Sequence, residues 1–407
     1  MRDAGRRPPL PGCKVDSQLG SAGDMHVLIA LIKVDSQFAG SGITQAVADR
    51  CKALTERGHE VTIVASFDDA QPRPPCDGVS LVHVPLVRRA PQLIPGLNDA
   101  LHGKAIGQAI SRGRIQGRVD LVDVQEAGIA RGVYSAARRA GWAVVHSIHL
   151  SALYGLRRFG AIRRHVLVSQ NLWAAKHADR CVAVSECVRD AYLRAGIDGG
   201  RISVVYNAVR MPGEAPKRDA RVQSETQIMW LGRMVEGKGV VEAVQTAECC
   251  TADPAGPSFL FVGGGHLEEL VRAAAERNAK IRWAGIVRDP GELDRLRAQS
   301  DVFLATSHHE TFGLAVAEAM AAAMPVVASD IAAHREVLGD AGVLYDSGDT
   351  EALKERIMRL ASLPEERAAL GNSARLRAEA LFDRKREAEK LLAVYTAACA
   401  AHGGTRS

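Results

Sequence analysis

The eight cysteines include no CxxC pair, and no Cys/His group has zinc-ligand spacing. That excludes the common structural zinc modules and the dithiol redox motifs. No run of 18 apolar residues occurs. The longest apolar stretches, such as residues 27–32, are strand-sized, so a transmembrane helix is not expected. The first 24 residues lack the apolar core of a secretion signal and carry Pro8, Pro9 and Pro11. They read as a disordered leader or as sequence upstream of a natural start at Met25. Without a secretion signal, reduced thiols and a cytoplasmic protein are expected. No GxxxxGK[ST] loop is present. The loop from Gly40 through Ser41, Gly42, Ile43 and Thr44 to Gln45 lacks the third glycine of GxGxxG. No acid directly ends the strand at 61–65, which disfavours a nucleotide-dependent dehydrogenase. No acidic metal cluster is seen, so the reading is a metal-independent protein without cofactor or nucleic-acid partner.

What is present is a globular composition, 47% hydrophobic and 24% charged over 407 residues, enough for two domains. Apolar strands at 27–34, 61–65, 79–84, 121–124, 143–148 and 180–184 alternate with helical stretches, the first at 44–57 with Val47, Cys51 and Leu54 on one face. A polar, proline-bearing stretch from Pro212 to Asp219 breaks this pattern. A second series follows, with strands at 227–231, 259–262, 280–283, 302–305, 325–328 and 342–345. Helices are expected at 240–250, 266–277, 290–299 and 314–323, then at 350–362, 364–379 and 384–400. Buried strands alternating with helices imply parallel sheets covered on both faces. Two doubly wound α/β domains are therefore expected, at 25–210 and 211–383, with a cleft where their strand ends face. Charge is uneven. Residues 25–210 carry 24 Lys and Arg against 15 Asp and Glu, whereas 211–407 carry 24 against 29. A basic first half suits an acidic acceptor, an anionic membrane face or simply a solvated surface.

Two segments carry chemistry. Gly232 and Arg233, followed by Gly237, Lys238 and Gly239, lie between a strand and a helix. Glycines allow a tight turn, and an Arg fork with a Lys point charge suits phosphate oxygens. Further on, Glu310, Thr311, Phe312, Gly313 and Leu314 lead into a helix containing Glu318. A helix start offers unpaired N–H groups and a positive dipole end, which suits a diphosphate. Glu310 and Glu318 have seven residues between them. They are placed to hold two ends of one long ligand rather than to share one proton.

Gly-Arg-x4-Lys-Gly, followed about seventy residues later by Glu-x-Phe-Gly-x4-Glu-Ala-Met, resembles the family 4 retaining glycosyltransferases. Their GT-B fold has two Rossmann-like domains, an interdomain cleft and a C-terminal helix that crosses back to the first domain, here 384–407. The resemblance implies that Arg233 and Lys238 grip a donor diphosphate and that Glu310 binds hydroxyls of the transferred sugar. It has residues 311–314 lend backbone N–H groups and Glu318 bind the ribose. His149 matches the first-domain histidine beside sugar and acceptor, and Gly42 belongs to the glycine loop that closes on the diphosphate. Ser41, Ala208 and Ala323 stand where the family usually has glycine. The implied reaction moves a hexose or N-acetylhexosamine from a nucleotide diphosphate sugar, with UDP-GlcNAc or UDP-Glc favoured. The acceptor would be a hydroxyl of a bacterial cell-envelope lipid or of a small natural product such as an aminoglycoside antibiotic. On sequence alone a sugar-nucleotide epimerase and a non-catalytic nucleotide-sugar binder stay open. Between Tyr154 and Arg164, four arginines lie beside Leu156, Phe159 and Ile162, a pattern suited to peripheral membrane contact, to an acidic acceptor or to an exposed helix.

Overall fold

The computed structural model describes residues 24–35, 42–69, 72–87, 96–149, 161–213 and 226–404. Residues 1–23, Gly40, Ser41, the 154–160 part of the arginine-rich segment and the linker from 214 onward lie outside them. The first sheet contains β1 (His26–Val34), β2 (Glu60–Phe67), β3 (Val79–His83), β4 (Leu121–Val124), β5 (Ala143–Ile148), β6 (Arg180–Ala183) and β7 (Ile202–Val204), in the order β3-β2-β1-β4-β5-β6-β7. The second contains β8 (Gln227–Leu231), β9 (Ser258–Val262), β10 (Ile281–Trp283), β11 (Val302–Ala305), β12 (Val326–Ser329) and β13 (Val343–Tyr345), in the order β10-β9-β8-β11-β12-β13. Every pairing is parallel. Parallel strands need crossovers, which cover both faces with helices. This is why β4, β5, β11 and β12 are buried along their whole length.

The differences from the sequence reading have local causes. The short edge strand β7 was not expected, because three residues carry too little periodicity to register. β12 begins at Val326 rather than Pro325, since proline has no N–H to give to the ladder. The helix after Gly313 runs Leu314–Ala321 and stops before Ala323, whose φ of 53° is left-handed.

The last helix, Arg384–Gly404, packs on the first sheet. Its Leu391, Val394, Tyr395 and Ala398 join a core with Val27, Ile29, Val47 and Val145. Just before it, the Phe382 carbonyl accepts from the Val209 N–H at 3.0 Å, where the two interlobe passages of the chain meet. Beside that crossing, Phe312 packs edge-on against Phe382 with centroids 5.3 Å apart, and Tyr206 stacks on Phe312. Among the described residues, no helix is long and apolar enough to cross a membrane.

Candidate active site between the lobes

In each sheet the strand order reverses between two adjacent strands, β1 and β4 in one lobe and β8 and β11 in the other. Loops leaving such strands at their carboxyl ends diverge and open a crevice. Both glycine-turn segments of the second lobe leave these strands, after β8 and after β11. β8 leads into Gly232 and Arg233 and then a single tight turn, Glu236–Lys238. Gly239 follows with φ 65° and starts the helix Val240–Thr251. A Cβ at Gly239 would sit 2.0 Å from the Thr306 carbonyl oxygen, so only glycine fits. Thr306 fastens the turn: its hydroxyl lies 2.9 Å from the carbonyls of both Lys238 and Gly239 and accepts from the Trp230 indole at 3.0 Å. Sequence reasoning passed over Thr306, whose one signal is its place directly after β11.

This anchoring carries Lys238 to Glu310, and the two side chains form an ion pair. Ser307 also donates to Glu310 at 3.0 Å. Burial alone would push the Glu310 carboxyl up. The Lys238 ammonium, with His334 and Ser307 adding to it, wins and holds it below the usual carboxylate range. Gly313, with φ 98°, turns the chain into the helix Leu314–Ala321. The lysine turn and this helix start thus lie on the same side of the second lobe. Arg233 is exposed and makes no ion pair among the described residues. Phe312 is buried in the interlobe aromatic cluster, leaving its backbone rather than its ring to face a ligand.

Glu318 is held from two sides. Arg297, nearly buried, pairs with it from the helix Pro290–Gln299. Gln45, from the first-lobe helix Gly42–Thr55, donates to its other oxygen. Gly42 itself faces Leu314, whose methyl would be 3.9 Å from an added Cβ. The lobes touch at further points. Thr311 donates its hydroxyl to the His149 carbonyl at 2.8 Å and accepts at its own carbonyl from Ser185 at 2.5 Å. Glu336 accepts from the N–H groups of Glu186 and Cys187 at 2.6 and 3.0 Å, capping the helix Glu186–Arg194. His149 is only 5% exposed, and its Nε2 lies 2.7 Å from Gln125. Burial, followed by the Arg50 and His146 charges, depresses its pKa well below the usual histidine value. Glu126, after β4, accepts from the Ile32 N–H at 2.6 Å, and burial pushes it up to about 7. The sequence reading missed it, although it follows a switch-point strand. Lys238, Glu310, Gly313 and Glu318 are thus gathered on one side of the second lobe, with Gly42, Thr311 and His149 facing across the lobe junction.

Two family models match in tandem, Glycosyltransferase Family 4 over residues 40–211 and Glycosyl transferases group 1 over residues 214–377. A phosphatidyl-myo-inositol mannosyltransferase of Mycobacterium leprae is 28% identical over 329 residues, covering 78% of this chain and 83% of that one. Among solved structures, sucrose-phosphate synthase from Thermosynechococcus elongatus superposes with a TM-score of 0.75 at 19% identity, covering 91% of this chain and 98% of that one. Anabaena HepE in complex with UDP-glucose superposes with a TM-score of 0.69 at 18% identity, covering 91% and 99%. Fold and cleft therefore define a two-lobed GT-B glycosyltransferase. The chain belongs to the group 1, family 4 glycosyltransferases and transfers a sugar from a nucleotide sugar.

Proposed function

We propose that the chain is a retaining, metal-independent hexosyltransferase acting on a uridine diphosphate sugar, UDP-glucose or UDP-N-acetylglucosamine. Residues 25–210, with the helix from 384, form the acceptor side, and residues 211–383 hold the donor. The observation that carries this reading is the Lys238–Glu310 pair beside the helix start at Gly313. It sets a cation and a row of amides where a diphosphate would lie, with a carboxylate next to the sugar. In this reading Lys238 and Arg233 bind the diphosphate, and Thr311, Phe312, Gly313 and Leu314 lend backbone N–H groups. Glu310 accepts from sugar hydroxyls and Glu318 from the ribose. Gly42 closes on the diphosphate, and His149 borders sugar and acceptor.

The reaction is a front-face displacement. The acceptor oxygen bonds to the anomeric carbon as the bond from that carbon to the diphosphate oxygen breaks, and the departing diphosphate takes the hydroxyl proton. The protein contributes positioning and stabilises the developing negative charge. The acceptor is a hydroxyl of a cell-envelope lipid or a small natural product. The mannosyltransferase relative, named for a phosphatidyl-inositol acceptor, favours the lipid. The experiment is a thermal-shift screen with UDP-sugars, followed by transfer to acceptor pools and NMR of the product's anomeric coupling. No shift with any UDP-sugar, or an inverted product, overturns the reading. So does loss of activity in EDTA.

A further inference from the structure

Beneath the first-lobe half of the cleft lies a polar network enclosed by apolar packing. Arg50 is 0% exposed, and its Nη1 donates to Asp123 at 2.8 Å and to Ser147 at 2.8 Å. Tyr395, on the crossing helix, donates to the same Asp123 oxygen at 2.6 Å. The same Nη1 also lies 3.3 Å from the Gln125 Oε1. The Gln125 Nε2 donates to the Asp123 carbonyl at 3.3 Å. These two contacts fix which end of the amide is which. Guanidinium can only donate and a carbonyl can only accept, so oxygen must face Arg50 and nitrogen must face Asp123. The Gln125 oxygen then also meets the His149 Nε2, at 2.7 Å. An amide oxygen has no proton to give, so Nε2 must be the donor.

We propose that Gln125 is a positioning residue that locks His149 in the Nε2–H tautomer, leaving Nδ1 as a lone-pair acceptor for a substrate hydroxyl. This rests on the functional reading above, in which His149 borders the sugar and the acceptor. The groups around the ring agree with a neutral imidazole. Arg50, from the helix Gly42–Thr55, and His146, on β5, disfavour a second proton, and burial acts in the same direction. The Asp123 charge is taken up by Arg50, Ser147 and Tyr395. From the second lobe Thr311 reaches only the His149 carbonyl. The cleft group met by this ring is therefore a hydroxyl or another hydrogen donor, and a carboxylate at that point is rejected.

The test is ¹⁵N NMR of the full-length protein labelled at histidine, with His149→Asn to assign the signal. The expected result is one protonated Nε2 and one bare Nδ1 throughout pH 6–9. A protonated Nδ1 at pH 7 overturns the proposal, and this needs no folded Gln125 variant. Gln125→Glu sets a carboxylate against Nε2 and raises the ring's affinity for a second proton. Its turnover should fall at least about tenfold from pH 9 to pH 6 relative to wild type, whereas a pH profile that superimposes on wild type overturns the proposal. If the fall also appears in donor hydrolysis without acceptor, the hydroxyl belongs to the sugar; if only in transfer, to the acceptor. UDP-sugar binding is read separately by thermal shift. Absent binding with the expected tautomer removes the functional reading alone, and binding with the opposite tautomer removes the lock alone.

Discussion

Gln45 and Glu318 face each other from opposite lobes, the carboxamide donating to the carboxylate that Arg297 pairs with from its own lobe. A ligand that donates to this carboxylate would share it with Gln45 and Arg297 or displace the Gln45 contact. Hydrogen bonds to charged groups contribute about 1.5–3 kcal/mol, equivalent to roughly ten- to hundredfold in affinity. Glu318→Ala is expected to raise the KM for the UDP-sugar at least about tenfold, with a smaller effect on kcat. Steady-state kinetics check this, and an unchanged KM would remove Glu318 from the donor site.

Lys238→Ala takes away the ammonium that holds Glu310 ionised. Turnover should fall at least about tenfold, a modest share of what an electrostatic group can supply. Stability also changes with pH. Because the Glu310 carboxyl sits below its usual range, its contribution is present above that range and is lost as pH falls through the depressed value. Acid unfolding of Lys238→Ala, followed by circular dichroism, should lose that part of the wild-type drop.

Glu387 behaves in the opposite sense. It is buried near Arg50, and burial pushes its pKa up to about 7. A carboxyl raised in the folded state stabilises below its unfolded value, and that stability is lost as pH rises through the folded one. The Glu387 contribution to stability should therefore decline between about pH 4.5 and 7, by on the order of 3 kcal/mol. Glu387→Gln is expected to flatten this decline. Urea titrations at pH 5 and pH 8 give the comparison, and an equal change in unfolding free energy between the two pH values in both proteins would contradict it.

Glu336 ties the lobes by capping the helix Glu186–Arg194. Removing a side-chain cap costs about 0.5–2 kcal/mol. Without donor, Glu336→Ala should populate a more open arrangement, seen as a larger radius of gyration in solution scattering. An unchanged radius would show that the remaining interlobe contacts, among them Gln45–Glu318, Thr311–His149 and the aromatic cluster, hold the lobes together without Glu336.

Ala323 has the one left-handed φ of any non-glycine among the described residues. That conformation costs an L-residue roughly 1–2 kcal/mol, part of which glycine gives back through its larger unfolded-state freedom. Ala323→Gly should raise the melting temperature slightly and leave activity intact.

Much of this architecture was legible in the chain. Continuous apolar runs such as 27–32 and 302–305 mark strands buried on both faces, and glycines at 239 and 313 punctuate the turns that follow strands. Lys238 and Glu310 were singled out by their place beside glycine turns and by the paired motif, and the structure brings the two side chains together. Thr306, Gln125, Glu126 and Arg297 were not. Their work depends on partners such as Lys238, His149, Ile32 and Glu318, and no local spacing records those contacts. β7 was hidden for a different reason, being too short to show a period. His149 was expected beside the cleft, but its burial and its bond to Gln125 arise only when β4 and β5 pair.

The helix Arg384–Gly404 completes a core that begins with β1. Tyr395 reaches Asp123 inside it, across 272 positions of chain. During synthesis the amino-terminal lobe must wait, half-built, until the whole carboxy-terminal lobe has emerged and its final turns have swung back. A chain truncated near residue 383 would keep every element of the second lobe and lack the helix that completes the first, leaving the Arg50 guanidinium without Glu387 and its Asp123 partner without Tyr395.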